Sequence, residues 1–128
     1  MDRAILNECS SQIINAAMRV HSILGPGLLE SPYRACLAYE LRKRGFRVDE
    51  ELPVPVIYDE HKMPVGLRLD LLVNDLVVVE VKACAKVNPV HEATLLTYLK
   101  MSDHRLGLII NFHELRLRDG LKRLVNGF

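Results

Sequence analysis

Neither sign of charge dominates this sequence. Its 17 Lys and Arg stand against 16 Asp and Glu, a formal net charge of +1. The whole molecule therefore supplies no strong field to steer a polyanion, and a nucleic-acid binder of this composition must gather its positive charge on one face. Long apolar runs are also missing, and none approaches the roughly 20 residues needed to cross a bilayer. No secretory signal is read at the start, where Met1–Ala17 mixes Asp2, Arg3, Asn7, Glu8 and Gln12 among its apolar residues. Cysteine is scarce: Cys9, Cys36 and Cys84 are odd in number, far apart and without metal-ligand spacing, which argues against both a disulfide framework and a zinc site. Repeats, low-complexity tracts and linkers are absent. These absences leave a soluble protein, expected in the cytoplasm with reduced thiols. One domain over residues 1–128 is the natural expectation, and 49% hydrophobic residues suffice to bury a core.

Along the chain the period changes twice. Ile5, Cys9, Ile13, Ala16, Val20 and Ile23 recur at three- and four-residue steps, which predicts an amphipathic helix over Ala4–Leu24. Gly25-Pro26-Gly27 ends it. A second helix is expected from Leu28 or Ser31 to Arg44, with Ser31 before Pro32 as its cap and Gly45 as its stop. From Phe46 to Tyr58 the pattern alternates as strands do, and Pro53 and Pro55 mark an edge or bulged strand. Asp59–Lys62 reads as a polar turn, and Val65–Val73 and Leu76–Ala83 as strands joined across Asn74-Asp75. Asn88-Pro89 opens a helix over Val90–Met101. Leu106–Phe112 reads as a buried strand, and Leu115–Val125 as a closing hairpin around Asp119-Gly120. The fold class is α/β with α+β character.

The chemistry lies in Arg68-Leu-Asp70 and Glu80-Val-Lys82, charges set inside two strongly apolar strands. A charge buried unpaired costs several kcal/mol, so such residues must meet a surface, a cleft or a metal. Glu80 and Lys82 are two apart on one strand and share a face. A two-residue turn would pair Leu69 with Glu80 and send Asp70 to the other face. A three-residue turn, Asn74–Leu76, pairs Val73 with Val77 and sets Asp70 opposite Glu80, and this is the expected connection. Two carboxylates with the Val81 backbone carbonyl and waters form a hard donor set suited to Mg²⁺ or Mn²⁺. Lys82 beside them can orient a water or neutralise a phosphate. A Glu-x-Lys pair taken alone is equally a surface ion pair on a strand.

The rest of the chain gives these residues a context. Gly27-Leu-Leu-Glu30-Ser-Pro-Tyr33, Gly66-x-Arg68-x-Asp70, Val79-Glu80-Val-Lys82-Ala83, Pro89-Val-His91, Tyr98 and Gly107-Leu-x-Ile-Asn111-Phe112 occur in order over nearly the whole length. Together they resemble the PD-(D/E)xK nuclease superfamily, and more closely its GxxExxY group. The resemblance implies a restriction-endonuclease-like core, α-β-β-β-α-β, with a central mixed sheet flanked by helices. It implies divalent-metal hydrolysis of nucleic acid, DNA before RNA. It adds Glu30, on the first core helix, to the catalytic set of Asp70, Glu80 and Lys82. RecB-like members carry Gln-x-x-x-Tyr on the helix after Glu-x-Lys; here Tyr98 is present but Thr94 stands where the glutamine would be. His91, Thr94 and Tyr98 share one helical face and are expected, with Arg68, to contact substrate.

The expected function is a Mg²⁺- or Mn²⁺-dependent nuclease. The alternative is a nuclease fold kept as a binding or regulatory module, for which Thr94 leaves room. A purely structural oligomerisation domain is a third and weaker reading. A domain this small grips little nucleic acid alone, so a homodimer is also expected.

Overall fold

The computed structural model describes residues 2–127. Helix α1 spans Arg3–Leu24, capped by the Asp2 carboxylate, which accepts the Ala4 N–H at 2.8 Å, and closed by Gly25 at φ 71°. It buries Leu6, Cys9, Ile13, Ala16, Ala17 and Val20. The helical phase is therefore rotated slightly from the expected face: Leu6 replaces Ile5, and Ile23 lies exposed beyond the last buried turn.

Helix α2 runs Glu30–Lys43 and has no side-chain cap; Ser31 lies inside it instead of capping it. The preceding loop is secured by Tyr33. Its hydroxyl donates to the Gly25 carbonyl and accepts the Leu28 N–H at 3.1 Å, while its fully buried ring stacks on Phe112 at 4.5 Å.

Strand β1 (Val48–Tyr58) and strand β2 (His61–Val73) form a long antiparallel arm around a two-residue turn, Asp59-Glu60, both at positive φ. The turn is tighter than expected, so His61 and Lys62 already belong to β2. The prolines behave as anticipated: β1 is an edge strand, and its register slips between Pro55 and Ile57. Strand β3 (Val77–Lys82) follows, then helix α3 (Pro89–Ser102), strand β4 (Leu106–Asn111), a 3-10 turn (Leu117–Gly120) and strand β5 (Leu121–Val125). The expected closing hairpin does not form. Its first half is the 3-10 turn, and β5 pairs antiparallel with β4.

The five strands form one mixed sheet in the order β1-β2-β3-β4-β5, parallel only between β3 and β4, with α3 as the crossover. Alternation along the strands makes two cores. Val77, Val79, Val81, Leu108 and Ile110 face α1 and α2, whereas Val78 and Ile109 face Leu95 and Leu99 of α3. Gly107 permits that second contact, since a Cβ there would lie 3.0 Å from the Leu95 side chain. This α+β layering of helices on a five-stranded mixed sheet has the character of a restriction-endonuclease-like fold. Among the described residues, no helix is long and apolar enough to cross a membrane.

Candidate active site

Strands β2 and β3 pair at only three positions, Leu71–Val79, Leu72–Val78 and Val73–Val77. The connection is the three-residue Asn74–Leu76, with Asn74 and Asp75 in left-handed conformations that suit Asn and Asp. Past the third pair the strands part, and side chains take over from the ladder. The Val81 N–H donates to Asp70 Oδ2 at 2.8 Å, and the Asp70 N–H approaches Glu80 Oε1 at 3.4 Å. A residue's N–H and C=O leave a strand on the same side, so the Val81 carbonyl also faces this opening.

The opposite flank is broken too. The β1–β2 ladder passes from Glu50–Leu71 to Leu52–Leu69 without a Glu51–Asp70 pair, and Glu51 sits at φ 49°. At this point the strand faces exchange: Leu71 packs in the first core and Leu69 in the second. Asp70 is thus held at an interruption of both of its ladders.

Glu80 is 7% exposed. Burial, then the neighbouring Asp70 carboxylate, pushes its carboxyl up to about 8, and Lys82 pulls the other way. Burial and the Asp70 charge thus favour the protonated form of Glu80. Lys82, two residues on and half-buried, is near enough for its charge to act on Glu80. Its own carbonyl accepts the Phe112 N–H at 2.9 Å. Phe112 stacks on Tyr33, so this end of β3 lies against the first turn of α2, which begins with Glu30. Glu30 is exposed at that helix N-terminus, one turn before the buried Tyr33.

A family model described as PD-(D/E)XK nuclease superfamily matches residues 7–124. The chain belongs to the PD-(D/E)XK nuclease superfamily. No curated protein and no solved structure matches the chain.

Nucleases of this superfamily generally use divalent metals. The donors here fit such an ion: two carboxylates and a carbonyl beside one opening are hard oxygen ligands, and a cation would offset the cost of burying the Glu80 charge. Among the described residues, no three His, Cys, Asp or Glu side chains cluster as a ready-made cage, so main-chain oxygen and water would complete the set.

Of the other candidate residues, His91 is engaged in capping α3. Its Nδ1 accepts the Asn88 N–H at 3.2 Å, while the Asn88 side chain accepts the Val90 and His91 N–H groups. Thr94 is exposed, and Tyr98 packs half-buried against the second core. Arg68 is 65% exposed and lies 3.9 Å from Glu51. Among the described residues, no hydrogen bond or ion pair joins these four to Asp70 or Glu80.

Two residues with clear positioning geometry were given no role from sequence. Glu51 marks the ladder break. Asn111, fully buried, clamps the segment after Lys82: its amide donates to the Cys84 carbonyl at 2.8 Å, and its oxygen accepts the Cys84 and His113 N–H groups at 3.2 Å. An asparagine ending the apolar run Leu-Gly-Leu-Ile-Ile-Asn was the available signal.

Proposed function

We propose that this protein hydrolyses phosphodiester bonds of nucleic acid, DNA in preference to RNA, with Mg²⁺ or Mn²⁺ held by Asp70, Glu80 and the Val81 carbonyl. The observation that carries this reading is the meeting of Asp70 and Glu80 where β2 leaves β3, with Glu80 buried and its carboxyl raised to about 8. When bound, the cation polarises the scissile phosphate and offsets charge on the leaving oxygen.

The protein's own groups do the remainder. Asp70, fixed by the Val81 N–H, keeps one carboxylate oxygen in the plane of the opening. Lys82 directs its ammonium toward the attacking water and the pentavalent phosphate, a charge already in place before reaction. Glu30, at the free N-terminus of α2, accepts from that water on its other side. His91, through its remaining ring nitrogen, and Thr94 and Tyr98 along α3 line the approach of the strand to be cut. The Gly27–Tyr33 motif supports the finer assignment to the GxxExxY group.

The test is cleavage of single-stranded, duplex and branched DNA and of RNA, in Mg²⁺ and in Mn²⁺, beside Asp70→Ala. Cleavage by the unaltered protein that drops at least about a hundredfold in the variant is expected. Metal-independent binding without cleavage, unchanged by Asp70→Ala, would instead establish the binding module that Thr94 makes conceivable.

A further inference from the structure

Two arginines converge on Glu51. Arg34 Nη2 lies 3.7 Å and Arg68 Nη1 3.9 Å from the same Glu51 Oε1. Both separations exceed the roughly 2.7–2.9 Å of a formed charge-assisted hydrogen bond. The Arg34 side chain is only 21% exposed, and its Nε is buried with no hydrogen-bond partner among the described residues. Nε and Nη2 form one edge of the guanidinium, the edge that binds two oxygens of a carboxylate or phosphate at once. Glu51 approaches only the Nη2 end of that edge and leaves the Nε end unmet.

The location matters as much as the mismatch. Arg34 is one helical turn beyond Glu30 on α2, Glu51 is opposite Asp70 across the broken ladder, and Arg68 is two residues before Asp70. Two positive charges around one carboxylate leave a surplus beside the two acidic ligands, in a protein whose total charge is only +1. The excess is local to Glu51, and it sets two cationic side chains where a polyanion approaching the acidic pair would meet them.

We propose that Arg34, with Arg68 beside it, forms a phosphate subsite next to the reacting centre, and that Glu51 is a placeholder which a backbone phosphodiester displaces. Two phosphate oxygens span the Nε–Nη2 edge of Arg34 and meet both donors. Glu51, 47% exposed, has room to turn into solvent, and Arg68 closes on the phosphate from the strand side. Arg34 and Arg68 act on binding and register of the strand, leaving bond cleavage to the carboxylates. This inference rests on the nuclease reading.

The experiment is a titration of a short fluorescent DNA strand with the full chain, in EDTA and again in Ca²⁺, across a salt series, beside cleavage kinetics in Mg²⁺ or Mn²⁺. Arg34→Gln is expected to weaken binding about tenfold and to lower the slope of log K against log[salt] by about one, the signature of one lost phosphate contact. It raises KM with little change in kcat, and Arg34→Lys recovers only part, because a point charge cannot span the two oxygens. Glu51→Gln tightens binding. If Arg34→Gln fails to fold, as its melting curve will show, Arg68→Gln and Glu51→Gln carry the same test with the same signs. A folded Arg34→Gln with unchanged affinity and salt slope, beside a cleaving parent, overturns the subsite and leaves the nuclease reading standing. An unaltered protein that neither binds nor cleaves overturns both. Weaker binding by Glu51→Gln overturns the placeholder role.

Discussion

Glu80 shows how a single side chain ties chemistry to stability. Its carboxyl moves from an ordinary 4.5 up to about 8 on folding, chiefly through burial and then through Asp70. The folded protein therefore binds a proton that the unfolded chain releases. Its stabilising contribution is complete below about pH 4.5 and is lost as pH rises through 8. The thermal midpoint of the metal-free protein should thus fall between pH 5 and pH 8, and Glu80→Gln should flatten that decline. Adding Mn²⁺ at pH 8 should restore the midpoint in the parent and not in the variant; scanning calorimetry with and without EDTA checks both. A parent profile no steeper than that of the variant would remove the buried proton from the account. The meeting of Asp70 with Glu80 was legible in the sequence because charges interrupt apolar strands there and the turn length sets their register. Arg34 and Glu51 were not legible. Their meaning comes from a helix and a strand meeting across the fold, and no local pattern encodes that approach. His91 was ambiguous for the opposite reason, since a first-turn histidine satisfies capping and substrate contact equally well until its Nδ1 partner is seen.

At the scale of elements, the odd-length turn at Asn74–Leu76 was readable because side-chain alternation permits only one register that brings Asp70 to Glu80. Helix phase in α1 was nearly right, and failed at its ends, where fewer neighbours define a face. The closing hairpin was misread because Asp119-Gly120 is turn chemistry that a 3-10 helix uses as well. The loop before α2 carries the next prediction. Tyr33 holds it through Gly25 and Leu28, and thereby sets where Glu30 begins the helix. Tyr33→Phe should cost about 1–3 kcal/mol by chemical denaturation, because it leaves those two backbone groups unpaired. Its effect on cleavage should be coupled to that of Glu30→Gln: the double variant should lose less activity than the product of the single losses. Independent effects would separate the staple from the glutamate.

Across the whole molecule, stability is distributed unevenly about the sheet. Helix α1 buries seven residues against the larger core, Leu6, Cys9, Ser10, Ile13, Ala16, Ala17 and Val20, whereas α3 buries two, Leu95 and Leu99. Amide hydrogen exchange followed by mass spectrometry should therefore show α3 opening well before α1, through excursions that leave the larger core closed. Equal protection of the two helices would contradict this division. Helix α3, which carries His91, Thr94 and Tyr98, is thus the more loosely held, and α2, which carries Glu30 and Arg34, packs in the larger core.

The parallel pairing of β3 with β4 has a consequence for how the protein is made. The hairpin bearing Asp70, Glu80 and Lys82 is complete in the chain by residue 82, yet the strand that backs Glu80, Ile109 beside it and the Asn111 clamp beyond, arrives only after α3 has been crossed. On the ribosome, the two carboxylates are synthesised early and acquire their scaffold late. A chain stalled between those points carries Asp70 and Glu80 without the strand that backs them, so the pair takes its place in the sheet only when β4 has been made.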